Sequence, residues 1–186
     1  MNVLVCNVGS TSLKFKLYDM PDCTVTAQGA VERVGSNGDA VFTYQNNRRG
    51  GRIDLDRQDI PDYQTGIERF LHELTAGEFA VLARVQDIER VGFKATLSKG
   101  YFGVHEIDDA VLDGMREWLP MAPLHNAAYL KAIEVMRGVL PNARFVGAFE
   151  TAFHRTIPME RRIFGVPYEW YEKYGIERLG YHGASH

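Results

Sequence analysis

Cysteine is scarce in this 186-residue chain: Cys6 sits inside an apolar run and Cys23 in a turn, and there are no others. Two scattered cysteines make neither a disulfide framework nor a zinc site, and Cys6 reads as an inert core thiol. Nor does any stretch reach the roughly eighteen consecutive apolar residues of a membrane span. Residues 1–8 lack the basic region and the small-residue cleavage site of a secretory leader, so the chain is expected in the cytoplasm. An excess of one charge sign is missing as well, since 21 Lys and Arg face 24 Asp and Glu for a net charge of −3. That balance offers no overall basic field to draw the protein onto nucleic acid or an anionic membrane, and neither partner is expected. Internal repeats and low-complexity segments are absent too. What remains is 45% hydrophobic residues, enough for a soluble globular protein of one domain or two small ones.

Val3 to Val8 is a short apolar run rich in β-branched residues, and after Gly9-Ser10-Thr11-Ser12 the residues Leu13, Phe15 and Leu17 alternate with polar ones. The pattern predicts a buried strand, a tight turn and a half-exposed strand. A third strand is expected over 24–34, a fourth over 41–44, and an exposed hairpin tip over 46–51. Pro61-Asp62-Tyr63 opens a helix whose apolar positions Ile67, Phe70, Leu71 and Leu74 keep helical spacing up to Gly77. Another strand follows over 89–96. Asp108 and Asp109 then start a helix to Trp118, because acidic residues satisfy free N–H groups and complement the dipole there. Pro120 and Pro123 separate it from a second helix over 126–139, and 143–149 reads as a buried strand before a loop-rich tail. Hairpins followed by alternating helices and strands make the class α/β.

Four segments carry chemistry. Asn7-Val8-Gly9-Ser10-Thr11-Ser12-Leu13-Lys14 puts an amide, a glycine, three hydroxyls and a lysine on one chain reversal, which suits an anion and equally suits a plain hairpin turn. It has neither P-loop nor dinucleotide glycine spacing. Ala122-Pro123-Leu124-His125-Asn126 brings a histidine to a helix start, where a cap is the competing reading. Phe149-Glu150-Thr151-Ala152-Phe153-His154 ends a buried strand on a carboxylate, which could equally cap the next helix. Gly180-Tyr181-His182-Gly183-Ala184-Ser185-His186 is a histidine-rich turn.

In this order the four segments resemble the acetate kinase (acetokinase) family of the actin, Hsp70 and sugar-kinase superfamily. The family reads Asn-x-Gly-Ser-Ser-Ser-x-Lys, Ala-Pro-Leu-His-Asn-Pro, Phe-Asp-Thr-Ala-Phe-His and Gly-Phe-His-Gly-Thr-Ser-His. The resemblance implies a ribonuclease-H-like (actin-type ATPase) domain with an N-terminal β-hairpin sheet and flanking helices. It also implies transfer of the ATP γ-phosphoryl group to a short-chain carboxylate, with Mg2+ as cofactor and an acyl phosphate as product. By the same resemblance Asn7 would contact the metal and phosphate, and Ser10, Ser12 and Lys14 would form the nucleotide-phosphate loop. Glu150, His182 and His125 would be catalytic, and Lys94, Thr96, Leu124 and Tyr181 would meet the acceptor. Phosphoryl transfer asks a protein mainly to position groups in line and neutralise charge, which suits such a set. A homodimer is implied as well.

The chain also departs from the family. Lys94 replaces the arginine of Gly-His-Arg-Val-Val-His-Gly-Gly, losing the planar fork that grips a carboxylate at two points. Phe93 and Leu97 replace its histidines. Lys99 replaces a glycine, and strain is expected if the turn needs positive φ there. Glu150 replaces an aspartate, Ala127 a proline, and Thr96 and Tyr181 make the acyl pocket more polar. The resemblance covers only the family's N-terminal half: residues 1–186 read as that half, with about 151–186 the start of a second lobe that a second polypeptide or a longer chain would supply. The competing expectation is a catalytically degenerate binding or assembly module. Isolated metal-dependent hydrolysis is weaker, because Glu150 stands nearly alone.

Overall fold

The computed structural model describes residues 1–183 and 185–186, so Ala184, inside the turn singled out above, lies outside the described residues. Its centre is one mixed sheet. Strand β1 (Asn2–Val8) pairs antiparallel with β2 (Ser12–Asp19), which leads through β3 (Thr24–Glu32) and β4 (Ala40–Asn46) to the edge strand β5 (Arg52–Gln58). On its other side β1 pairs parallel with β6 (Ile88–Ala95), β6 pairs parallel with β8 (Arg144–Phe149), and β7 (Gly103–Glu106) closes that edge antiparallel to β8. The order β5-β4-β3-β2-β1-β6-β8-β7, with antiparallel hairpins on one side and parallel strands on the other, matches the expected α/β class.

Helices α1 (Tyr63–Thr75) and α3 (Pro123–Val139) lie over one face of the sheet, with α2 (Asp109–Glu117) beside α3. Alternation along the strands explains which face. Leu4, Cys6 and Val8 of β1 and Leu13, Phe15 and Leu17 of β2 are all buried, while Asn7, Lys14 and Lys16 between them are exposed. Phe70 of α1 stacks on Phe15, with ring centroids 4.3 Å apart. The helix comes this close because Gly29 of β3 has no Cβ, an atom that would stand 2.8 Å from the Phe70 ring. Buried among apolar atoms, Cys6 has its thiol pushed up in pKa and stays protonated, as expected of an inert core residue.

The helix starts follow the capping logic. Asp62 accepts from the Thr65 backbone N–H at 2.8 Å, and Asp108 accepts from that of Val111 at 2.9 Å. Pro123 stands at the first helical position of α3, where its missing N–H costs nothing, so the helix begins three residues before the expected start.

Several elements differ from the expectation. The edge strand β5 was not anticipated, because Arg52, Asp54, Asp56 and Arg57 give it the charged texture of a loop. The four-residue β7 is too short to show a period. The tail holds α4 (Met159–Arg162) and α5 (Tyr168–Tyr174) rather than loop alone. Asn46, expected in an exposed tip, is buried: its Nδ2 donates to the Phe79 carbonyl at 3.0 Å and its Oδ1 accepts from the N–H groups of Arg48 and Arg49. Lys99 is free of the expected strain, since Gly100 beside it takes the left-handed conformation at φ +83°.

Replacing Asp62 by alanine should cost about 1 kcal/mol, read from urea unfolding at neutral pH. The Thr65 backbone N–H, and then its hydroxyl, hold the Asp62 carboxyl below its ordinary 3.8. A depressed folded pKa means the contribution is present above the unfolded value and is lost as pH falls through the folded one. The gap between the two proteins should therefore close as pH drops below 3.8.

Candidate active site

Three parallel strands end at the same level, and β1, β6 and β8 there deliver Asn7, Lys94 and Glu150. The carboxyl ends of parallel strands are where an open sheet leaves space for a ligand. Here they border a cavity of about 440 Å³, which Gly9, Thr96, Leu124, His125, Tyr129, Tyr181 and His182 also line.

Local structure explains how each group arrives. The β1–β2 reversal is closed by the Gly9 N–H donating to the Ser12 carbonyl at 2.8 Å, and a Cβ on Gly9 would stand 2.6 Å from the Ser12 hydroxyl. From behind, the Tyr63 hydroxyl lies 2.7 Å from the carbonyl oxygens of both Gly9 and Ser10 and shares one proton between them. The start of α3 is anchored by Asn126, fully buried, whose Nδ2 donates to the carbonyls of Leu97 and Met115 at 3.1 and 2.9 Å. His125 and Leu124 are thereby presented on the exposed first turn. Glu150 opens a 3-10 helix over Glu150–Thr156, against which the 180–183 turn lies. Gly180, at φ +72°, and Gly183 permit that approach, since a Cβ would meet the His154 ring at 2.1 Å or the Glu150 carbonyl at 2.2 Å. His154 Nε2 hydrogen-bonds the Tyr181 carbonyl at 2.9 Å, and the turn brings Tyr181 and His182 to the cavity. His182 itself holds a left-handed φ of +57°, uncommon for a side chain with a Cβ.

The charges are arranged around one ion pair. Lys94 Nζ stands 3.0 Å from Glu150 Oε2, yet that buried oxygen accepts no directed hydrogen bond, so the contact is one of charge rather than of aligned donor and acceptor. The Glu150 side chain is 5% exposed and that of Lys94 43%, so the cation faces the opening and the anion the floor. Burial raises the Tyr129 and Tyr181 phenols, and both stay protonated donors.

The magnesium implied by the resemblance can be weighed against these donors. Asn7 Oδ1 already accepts from the Tyr129 hydroxyl at 3.2 Å, and Glu150 Oε2 faces the Lys94 ammonium. Among the described residues no three His, Cys, Asp or Glu side chains cluster as a metal set. Magnesium wants hard oxygens in near-octahedral order, so these residues do not fit a cation ligated directly by this chain.

Of the residues singled out in the sequence, Asn7, Lys94, Thr96, Leu124, His125, Glu150, Tyr181 and His182 come together at the cavity. Ser10, Ser12 and Lys14 do not. Lys14 is the cross-strand partner of Asn7, on the sheet face away from α1 and α3, and lines a second hollow of about 420 Å³, which Asn7 also borders, with Lys16, Gln28 and Arg52. Ser10 is exposed, and Ser12 faces back onto Gly9. Phe93 and Leu97, standing where the family has histidines, are buried: Phe93 packs edge-on against Tyr129, and Leu97 joins Ala122 and Leu179 in a small apolar cluster. The sequence reasoning named Asn126 only as an amide at the helix start and missed Tyr129. An aromatic on the apolar side of a helix reads as core, and only the four-residue spacing from His125 could have hinted at Tyr129.

Exchanging Lys94 for methionine should destabilise the chain by about 1–3 kcal/mol in urea unfolding, since a buried carboxylate loses its countercharge. Adding Glu150→Gln should recover most of that loss. A double variant no more stable than the single one would show that the pair is not coupled.

The whole chain is matched by the model of the Acetokinase family, over residues 2–186. The acetate kinase of Shouchella clausii is 40% identical over 185 residues, covering 99% of this chain and 45% of that enzyme. The acetate kinase of Carboxydothermus hydrogenoformans is 38% identical, covering 100% of this chain and 46% of the relative. Among solved structures, Porphyromonas gingivalis acetate kinase superposes with a TM-score of 0.86 at 34% identity, and a propionate kinase from Francisella tularensis with 0.83 at 25%, each over all of this chain and 46% of the other. The chain thus spans about half the length of the curated relatives it matches. With its sheet order, its cavity at the parallel strand ends and a match running from residue 2 to residue 186, the chain belongs to the acetokinase family.

Proposed function

We propose that this chain is the N-terminal half of an acetokinase-type phosphotransferase, working with a second half on another polypeptide or in a longer chain. The observation that carries the reading is the cavity at the ends of β1, β6 and β8, where a cation, a carboxylate, two histidines and a small acyl-sized wall meet. The family's reaction uses ATP, generally with magnesium. In this reading an oxygen of a short-chain carboxylate attacks the γ-phosphorus, the new O–P bond forms as the bond to the bridging oxygen breaks, and a nucleoside diphosphate leaves. Lys94 attracts the acceptor carboxylate, and Thr96, Leu124 and Tyr181 enclose its short chain. His182 and His125 donate to phosphoryl oxygens as charge develops on them, and Glu150 holds Lys94 in place. Lys14, with Ser10 and Ser12, belongs to the nucleotide side, beyond the cavity.

The exposed apolar side chains of the tail support a boundary near residue 151. Phe164, Val166, Tyr168, Trp170 and Tyr174 lie between 157 and 180, on or beside α4 and α5, and suit a surface that the other half covers. A homodimer and a cytoplasmic setting belong to the same proposal; among the described residues no helix is long and apolar enough to cross a membrane. A second reading, a degenerate binding or assembly module, is favoured by one observation: Lys94 and Glu150 neutralise each other where the family has a bidentate arginine.

Hydroxylamine traps acyl phosphates as hydroxamates and separates the two readings. The chain mixed with ATP, magnesium, short carboxylates and the C-terminal half of the Shouchella clausii enzyme as a separate polypeptide should yield hydroxamate. The Lys94→Arg/Glu150→Asp pair should raise the yield about tenfold or more, since ångström-scale placement carries effects of that size. No hydroxamate from either protein would favour the binding module.

A further inference from the structure

Tyr129 stands on the second turn of α3, 2% exposed, with its ring edge against Phe93 and its hydroxyl 3.2 Å from Asn7 Oδ1. The hydroxyl is the donor of that contact and Asn7 Oδ1 its acceptor, in surroundings where burial favours the neutral phenol. A carboxamide has an acceptor on one prong and two donors on the other, so an oxygen turned toward Tyr129 turns the NH2 group away from it. Asn7 borders both this cavity, beside Lys94, Glu150 and His182, and the hollow that Lys14 lines, and that NH2 is the group it has free for a ligand.

We propose that Tyr129 is a positioning residue that orients the Asn7 carboxamide as a hydrogen-bond donor to a phosphoryl oxygen and keeps its carbonyl from ligating a divalent cation directly. The proposal rests on the phosphoryl-transfer reading of the cavity, and of the two contacts the resemblance implied for Asn7 it keeps the phosphate and removes the metal. Two pairings on the same cavity point the same way. Tyr129 occupies the Asn7 carbonyl, and the Lys94 ammonium stands against Glu150 Oε2 as a countercharge while itself reaching the opening. An anion meets donors there, and a bare cation does not.

The test uses the full chain, 15N-labelled, with the Asn7 side-chain NH2 signals identified by their loss in Asn7→Ala. Inorganic phosphate should shift those signals, and Mg2+ alone should leave them unmoved. In Tyr129→Phe, which keeps the ring and frees the carboxamide, phosphate should bind about fivefold more weakly, the size expected for one hydrogen bond, and Mg2+ alone should now shift the pair. A merely structural role for the hydroxyl would not move the two ligands in opposite directions. Mg2+ shifting the wild-type pair, phosphate failing to shift it, or unchanged phosphate affinity in Tyr129→Phe would each overturn the proposal. If Tyr129→Phe does not fold, Asn7→Ala decides: about fivefold weaker phosphate binding supports the proposal and unchanged binding overturns it. Phosphate binding needs neither nucleotide nor acceptor, so its outcome is independent of whether hydroxamate forms.

Discussion

Strand β1 is held on both edges, antiparallel to β2 and parallel to β6, and the cavity depends on that double pairing. Its register is fixed by burial: Leu4, Cys6 and Val8 pack under the helices, so Asn7 leaves the strand on the other side, level with Lys94 of β6, and its carboxamide oxygen meets Tyr129 of α3 at the strand end. A slip of one residue would bury the amide and expose the thiol. The parallel partners do the rest. Because β1, β6 and β8 run in one direction, their carboxyl ends gather at one rim, and the loops leaving them cannot avoid sharing a cavity.

Within that rim some polar groups answer one another, while Glu150 Oε2, Asn126 Oδ1 and Thr151 Oγ1 are buried without a hydrogen-bond partner. Lys94 meets Glu150, Tyr129 meets Asn7, and Asn126 spends both its donors on backbone carbonyls beneath the first turn of α3. Such pairing makes the walls rigid and leaves a few groups, His125, His182 and the Lys94 ammonium, turned toward the opening. The glycines of the 180–183 turn belong to the same design, since they let a backbone segment approach the Glu150 helix more closely than any Cβ would allow. The replaced family histidines show the opposite movement. Phe93 and Leu97 take their volume into apolar packing, and the substrate side of the cavity is left with fewer donors than the family pattern supplies.

Legibility followed periodicity. The β1–β2 hairpin, α1, β6, α2 and β8 could all be read, because each alternates or repeats with a clear apolar face and begins at a recognisable cap. β5 and β7 could not, being edge strands whose exposed sides carry charge or are too short to show a period. Most residues that line the cavity lie in the ordered motifs, yet Tyr129 looked like core and Lys14 looked like part of the same phosphate loop as Asn7. A helical aromatic gives no sign of which polar group its hydroxyl will meet, and a hairpin residue gives no sign of the sheet face that a ligand will use.

The sequence by itself determined the class of fold, the family and the identities of the groups at the parallel strand ends, because strand alternation, helix caps and motif order are all local properties of the chain. Only the tertiary structure decided how those groups are spent. The approach of Lys94 to Glu150 and the hydroxyl of Tyr129 against the Asn7 carboxamide join residues 56 and 122 positions apart, and their strength and direction come from burial that no local pattern records.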